Sequence, residues 1–493
     1  MAENTQQFHE LVSELPTGLF INGEFTESSS GESFPVINPG DGSTLCRVAS
    51  ATAEDARRAL DGACAVQPEW AATAPQERAD ILLRAFDLLH DNKDTLALVQ
   101  SLELGRALKD SAAEVDYGAE FFRWFAGEAT RIGGDYRVNP QATARIVVHR
   151  QPVGPCLAVT PWNFPLAMGT RKLGPVIAAG CTMVLKPASK TPLTMLYLAK
   201  IMKQAGLPDG VFQVLPTDTA DNVSCLLDDT RIRKFTFTGS TGVGQMLAAR
   251  AAKNSVKVSL ELGGNAPYVV FADADLEEAV AATATAKMRG AGQACIAANR
   301  FIVHESLAEE FTRRVAAQIA ELTVGPGTDP ATDVGCLSGT DQLESVARLV
   351  DDAVAKGATV HLGGSRAKLD DSLAGGAFYP PTVLGNVPAD AEITRSEIFG
   401  PVVAVTTFTD DEDAIRQAND TDYGLAAYVF TTDVTKALWA AEAIESGMVA
   451  VNKGALSDPA APFGGFKQSG LGREGGREGI EEFLETKYIS LPR

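Results

Sequence analysis

The sequence predicts an α/β protein made of two doubly wound units with a small β arm. Three observations lead there. The chain has 493 residues, too many for one simple core. From Pro155 onward, short apolar runs alternate with helical patterns, which is the rhythm of parallel sheets covered by helices. Two strand-like segments, around 144–149 and 488–491, stand apart from that alternation.

The elements follow in order. Helical periodicity occupies 53–65, 76–90 and 111–128. The stretch 138–151 then includes Ala144-Arg145-Ile146-Val147-Val148-His149, which reads as strand in a helical neighbourhood. A projecting arm between subunits fits it, and an ordinary edge strand fits nearly as well. A first series of apolar runs lies at 156–160, 182–186, 212–215, 234–238 and 257–260. Helices between them start near Ala167, Leu193, Thr219 and Thr241. A second series begins after Gly263, with strands at 268–271, 301–304, 360–362, 402–408, 426–431 and 448–452. Its helices fall at 275–289, 308–321, 343–356, 411–418 and 434–445. The end, 475–492, carries a helical piece and then Tyr488-Ile489-Ser490-Leu491, a candidate partner for the 138–151 arm.

Composition narrows the function classes. A formal charge of −20 disfavours non-specific binding to nucleic acid or anionic membranes. The seven cysteines are scattered and contain no C-x-x-C, as in a reduced cytoplasmic protein. The five histidines form no ligand-spaced cluster, so no metal site is expected. The first residues lack the basic and apolar regions of a signal peptide, and no apolar run approaches the ~20 residues of a membrane span.

Several segments carry chemistry. The strand Phe235-Thr236-Phe237-Thr238 runs into Gly239-Ser240-Thr241-Gly242-Val243-Gly244 and a helix. Free N–H groups at a helix N-terminus suit a pyrophosphate. The pattern is not G-x-G-x-x-G, and a tight strand-to-helix turn explains it equally well. Lys186-Pro187-Ala188-Ser189-Lys190 ends another strand. A lysine there reaches ribose hydroxyls, and Ser189, where an acidic residue would repel a 2′-phosphate, points toward NADP; solvated loop residues are the alternative.

Cys295 follows the glycine-rich Gly290-Ala291-Gly292-Gln293-Ala294, where a thiol can be exposed and activated, though a lone cysteine is more often core filler. Glu261 ends an apolar strand before Gly263-Gly264. A carboxylate in a partly dry site has a raised pKa and suits a general base, whereas a surface glutamate would look the same. Asn163, in Thr160-Pro161-Trp162-Asn163-Phe164-Pro165, offers an amide as oxyanion donor or serves as a turn residue beside proline.

Together these segments resemble the aldehyde dehydrogenase superfamily over nearly the whole chain. The matching stretches are Pro161-Trp162-Asn163-Phe164-Pro165, Lys186-Pro187-Ala188, Phe237-Thr238-Gly239-Ser240, Glu261-Leu262-Gly263-Gly264, Gly292-Gln293-Ala294-Cys295, Glu397-Ile398-Phe399-Gly400-Pro401 and Pro462-Phe463-Gly464-Gly465. They stand in the family's order. The resemblance implies that Cys295 attacks an aldehyde, Asn163 and the Cys295 N–H hold the oxyanion, and Glu261 activates water to hydrolyse the thioester. It places Glu397 on the nicotinamide ribose with Phe399 nearby, Lys186 on the adenosine ribose, and Gly239 and Ser240 near the pyrophosphate. Thr160, Pro161, Trp162, Gly244 and Leu262 complete the implied cofactor site.

Within the superfamily the chain is most similar to the succinate-semialdehyde dehydrogenase branch. The similarity lies in Thr170-Arg171-Lys172, Met288-Arg289-Gly290 and Leu456-Ser457. It implies that Arg171, Arg289 and Ser457 grip a distal carboxylate, a task suited to guanidinium forks. Salt bridges on helix faces are the plainer reading of the two arginines. Ala297 stands where many members of this branch carry a second cysteine, so no redox switch is expected there. The loop 454–460, Cys336 and Lys453 also depart from the branch.

The expected cofactor is NADP, with NAD possible, and the expected product is succinate. The same chemistry on glutarate semialdehyde or a neutral aldehyde is the nearest alternative. A non-catalytic binding protein of this fold is the alternative from another class. The dinucleotide-binding domain is expected in 1–134, 154–262 and 447–480, the catalytic domain in 263–446, and the arm in 135–153 and 481–493. The resemblance and the two strand-like arm segments imply a homodimer or homotetramer.

Overall fold

A computed structural model describes residue 8, residues 10–366 and residues 369–493. Two mostly parallel sheets organise it. The first has eight strands, in the order Glu24–Thr26, Leu19–Ile21, Phe212–Val214, Met183–Lys186, Cys156–Val159, Lys234–Thr238, Lys257–Glu261 and Gly470–Leu471. Its five central strands are parallel. In chain order they run third, second, first, fourth, fifth, so the order reverses between Cys156–Val159 and Lys234–Thr238. At such a switch point the loops after the two strands part and leave a crevice at the strand C-termini.

The second sheet has seven strands, in the order Thr359–Leu362, Thr382–Gly385, Val402–Phe408, Ala298–His304, Ala266–Val270, Ala426–Phe430 and Met448–Val451. All pairs are parallel except the first. The chain was expected to return to the first unit at 447. Met448–Val451 instead pairs with Ala426–Phe430 as an edge strand of the second sheet, and the first sheet is rejoined only at Gly470–Leu471. An apolar run of four residues carries no mark of which sheet its ladder bonds will complete.

Leu484–Pro492, Ala144–Pro152 and Asp135–Val138 form a separate antiparallel sheet. The register pairs Tyr488 with Val148 and Leu491 with Arg145.

The first third is less uniformly helical than its periodicity suggests, because Leu19–Ile21, Glu24–Thr26, Ser33–Ile37 and Thr44–Ala49 are strands. The helix Ala53–Ala72 begins at a capping box in which Thr52 and Asp55 each satisfy the other's backbone N–H. The helix Lys93–Leu104 has no clean polar face to betray it, since most of its residues are buried, and it stops at Gly105 with φ +78°. Two buried glutamates cap helices across the core. Glu103 accepts from the N–H groups of Leu193 and Thr194, at 2.8 and 3.0 Å. Glu114 accepts from those of Leu166 and Ala167, both at 2.9 Å. Each brings carboxyl oxygens to N–H groups of a helix's first turn that have no partner within the helix.

Candidate active site

The helix Leu276–Lys287 leads into a short turn, Arg289–Gly292, in which Gly290 and Ala291 both have positive φ. That turn delivers Cys295 to the front of the strand Ala298–His304. The peptide of Cys295 packs against the strand-end glycines of the first unit: a Cβ on Gly264 would lie 2.3 Å from the Cys295 carbonyl oxygen. Glycine at 264 is therefore a condition of bringing Cys295 beside the Glu261 strand. The Tyr428 hydroxyl donates to the Ile296 carbonyl at 2.8 Å and steadies the loop from the other side. The Asn163 amide donates to the Gln293 carbonyl at 3.0 Å, which puts the expected oxyanion donor on the nucleophile's own loop.

The Cys295 thiol is pushed up to about 12. Burial is the main cause, with Arg171 pulling the other way. Glu261, the last residue of Lys257–Glu261, is 2 % exposed, and neither of its carboxylate oxygens has a hydrogen-bond partner. Burial first, and Glu474 second, hold its carboxyl well above the usual range. Such a group is a stronger base, once ionised, than an ordinary carboxylate.

Glu474 escaped the sequence reading, because a glutamate between Arg473 and Gly475-Gly476 looks like loop surface. It is buried and ion-paired with both Arg171, at 2.7 Å, and Lys172. Its burial raises its pKa, but Lys172 and Arg171 outweigh that and hold it low. The Arg171–Glu474 contact is close without good hydrogen-bond angles, so charge rather than directionality holds it.

Arg171 is 1 % exposed, stacks on Phe463 with 4.1 Å to the ring centroid, and keeps an unpartnered Nη1. Both plain expectations for the arginines therefore need refinement. Arg171 does carry a salt bridge, yet a buried one with a free nitrogen. Arg289 is exposed, has no carboxylate partner among the described residues, and lies over Phe164 at 5.7 Å. Ser457 shares a hydrogen bond with the Tyr117 hydroxyl. Tyr117 lies close enough to Arg171 to favour its charge. Tyr117, on the helix Leu108–Ala129, was also missed, since a tyrosine on a helix face has no local signal of function.

Most of the expected cofactor residues lie near the strand ends of the first sheet, whereas Glu397 and Phe399 come from the second unit, ahead of the strand Val402–Phe408. The Thr160 N–H donates to the Lys186 carbonyl at 3.1 Å, and Gly239 N–H to the Glu261 carbonyl at 3.0 Å. Ser240 precedes the helix Thr241–Ala252, is exposed and makes no side-chain cap, so that helix's first N–H groups are left without one. Gly244 sits under Leu262, where a Cβ would come within 2.3 Å of it. Lys186 is 8 % exposed, donates only to the Pro187 carbonyl at 3.2 Å, and is brought down to about 8 by burial.

Ser189 lines a cleft of about 450 Å³ with Lys190, Asp218, Ser338 and Asp341. Lys190 pairs with Asp341 at 2.9 Å and lies over the Trp162 ring at 5.6 Å. Trp162, beside Pro161, meets Phe399 edge-on with centroids 5.4 Å apart, so the two units touch there. Glu397 accepts from the Gly264 N–H at 3.2 Å, and burial pushes its carboxyl up to about 8. No cluster of metal-ligating side chains occurs among the described residues.

This arrangement is that of an aldehyde-oxidising dehydrogenase, and comparison with known proteins agrees. The aldehyde dehydrogenase family matches residues 25–489, and the chain belongs to that family. A succinate-semialdehyde dehydrogenase of Paenarthrobacter nicotinovorans is 53% identical over 91% of this chain and 98% of its own. A glutarate-semialdehyde dehydrogenase of Pseudomonas aeruginosa is 43% identical over 96% and 97%. The crystal structure of an Escherichia coli NADP-dependent enzyme superimposes with a TM-score of 0.95 at 43% identity, covering 97% of this chain and 98% of that one.

Proposed function

We propose that the chain oxidises succinate semialdehyde to succinate, with NADP as preferred cofactor and NAD as a weaker one. The observation that carries the substrate is Arg171. A buried guanidinium with one unpartnered nitrogen, beside the Tyr117–Ser457 pair and within electrostatic range of Cys295, is a carboxylate receptor a short chain away from the nucleophile. Arg289, unpaired and exposed, supplies a second positive charge at the approach. A site built to pair a carboxylate discriminates strongly against neutral aldehydes, which leave the guanidinium's free nitrogen buried and unsatisfied.

The residues present fit a dinucleotide. The uncapped N-terminus at Ser240 suits a pyrophosphate, the desolvated Lys186 a ribose, and the loop Ser189-Lys190 presents no carboxylate of its own to a 2′-phosphate. Glu397 would take the second ribose. The bound nicotinamide supplies the hydride acceptor.

The chain's own part is as follows. Cys295 Sγ bonds to the aldehyde carbon as its proton leaves for Glu261 or solvent. The alkoxide oxygen is held by the Asn163 amide and the Cys295 N–H. Loss of hydride leaves a thioester. Glu261, having released to solvent any proton taken from Cys295, takes a proton from water, the hydroxide displaces Cys295 as thiolate, and the acid departs. In this reading residues 1–134 and 154–262, with the chain from Gly470 to 480, bind the cofactor, while 263–446 carry the nucleophile. Residues 135–153 and 481–493 join subunits of a homodimer or homotetramer in the cytoplasm.

The test is a panel of initial rates with succinate semialdehyde, glutarate semialdehyde, acetaldehyde and benzaldehyde, each with NADP and NAD. The expected result is the highest kcat/KM for succinate semialdehyde with NADP, lost selectively in Arg171→Ala and Arg289→Ala. Preference for glutarate semialdehyde keeps the carboxylate grip and lengthens the substrate by one methylene. Preference for a neutral aldehyde rejects the grip.

A further inference from the structure

We infer that Arg106 is a positioning residue for the Asn163 amide, acting with Glu114 to aim the oxyanion donor at the substrate. The inference rests on Asn163 being that donor. Arg106 occupies the linker between Lys93–Leu104 and Leu108–Ala129 and is 2 % exposed. Its Nη1 donates to the Asn163 carbonyl at 3.3 Å. Its Nη2 donates to Gln100 Oε1 at 2.8 Å and is ion-paired with Glu114. Its guanidinium also lies over the Phe164 ring, 5.0 Å from the centroid.

Glu114 completes the clamp. The oxygen not engaged by Arg106 accepts from both Leu166 and Ala167 N–H groups. The pair thus holds the short segment from Asn163 to Ala167 at both ends. Pro165 inside it has no N–H to give, and the Phe164 carbonyl accepts from the Met168 N–H at 3.0 Å.

The same helix reaches the nucleophile. Asp110 Oδ2 accepts from the Gly290 N–H at 2.8 Å, in the turn that delivers Cys295. One rigid element therefore sets the distance between the amide of Asn163 and the sulfur of Cys295. A buried ion pair is poor evidence of added stability, because a well-packed apolar pair often serves as well. What the planar fork adds is direction, and direction matters where a donor must meet a developing charge.

The experiment is a double-mutant cycle on the intact enzyme: Arg106→Met, Asn163→Ala and the double variant, with Arg106→Lys alongside. For each, kcat, the KM of aldehyde and cofactor, and Tm are measured. Asn163→Ala is expected to lower kcat about 100-fold, the usual effect of losing one oxyanion donor. Arg106→Met is expected to lower kcat about tenfold or more with both KM values changed less than about threefold, because a displaced donor loses transition-state binding alone. Arg106→Lys, which keeps the charge without the fork, falls between wild type and Arg106→Met. On the Asn163→Ala background, Arg106→Met should cost less than about twofold, since its route of action is gone.

An equal loss on both backgrounds overturns the inference, as does a loss carried by KM with kcat intact. Should Arg106→Met fail to fold, the cycle is run with Arg106→Lys, and the same non-additivity decides. Wild-type kcat in Asn163→Ala would reject the oxyanion reading itself, a result separate from the cycle.

Discussion

The Cys295 thiol should be almost wholly protonated in the resting enzyme. Burial pushes it from an ordinary value of 9.0 up to about 12, and Arg171 only partly offsets this. At pH 7 the thiolate fraction is then about 10⁻⁵, against about 1 per cent at the ordinary value. Alkylation by iodoacetamide consumes thiolate, so its rate at Cys295 without ligands should rise about tenfold per pH unit. Between pH 7 and pH 9 the rise is about 100-fold with no plateau. The assay is peptide mass spectrometry of the modified Cys295 against time at each pH. Arg171→Met removes the main group favouring the thiolate and should slow the reaction further. A rate that levels off below pH 8 would refute the reasoning. It would mean that a specific partner, and not burial, governs the sulfur.

The other predictions rest on different groups. Glu261→Gln removes the desolvated base, so reduced cofactor should appear in a burst near one equivalent and then stall; a steady rate equal to wild type would remove Glu261 from deacylation. Ser189→Glu puts a carboxylate where a 2′-phosphate is expected, and the NADP/NAD ratio of kcat/KM should fall by about tenfold or more, while an unchanged ratio dismisses Ser189.

Glu103 concerns stability. Burial raises its carboxyl to about 7, so its contribution is full below the ordinary 4.5 and is lost as pH rises through 7. Glutamine cannot titrate there, and Glu103→Gln should gain on wild type by about 3 kcal/mol between pH 4.5 and pH 8. Urea unfolding at the two pH values measures it, and a constant difference between the proteins would count against a raised Glu103.

The doubly wound architecture was legible because strand and helix periodicities alternate from Pro155 on, and that alternation survives in both parallel sheets. Residues 19–49 were not, since their strands are short, and Leu19–Ile21 joins the first sheet through Phe212–Val214, far away in sequence, with Glu24–Thr26 added beside it. The edge strand Met448–Val451 shows the same limit, for its length and apolarity suit either sheet.

At the site, the sequence by itself determined the chemistry-bearing types and their local frames. Cys295 after a glycine-rich turn, Glu261 at a strand end before two glycines, and Asn163 between prolines are statements about neighbours along the chain. Only the tertiary structure decided what surrounds them. Glu474 meets Arg171, Tyr117 meets Ser457, and Arg106 meets the Asn163 carbonyl, across separations of 303, 340 and 57 residues. Those meetings set which charges are paired, which nitrogen stays free and which carboxyl is dry. Dielectric and distance, which fix a pKa or a binding preference, are properties of three-dimensional surroundings, and no local pattern encodes them.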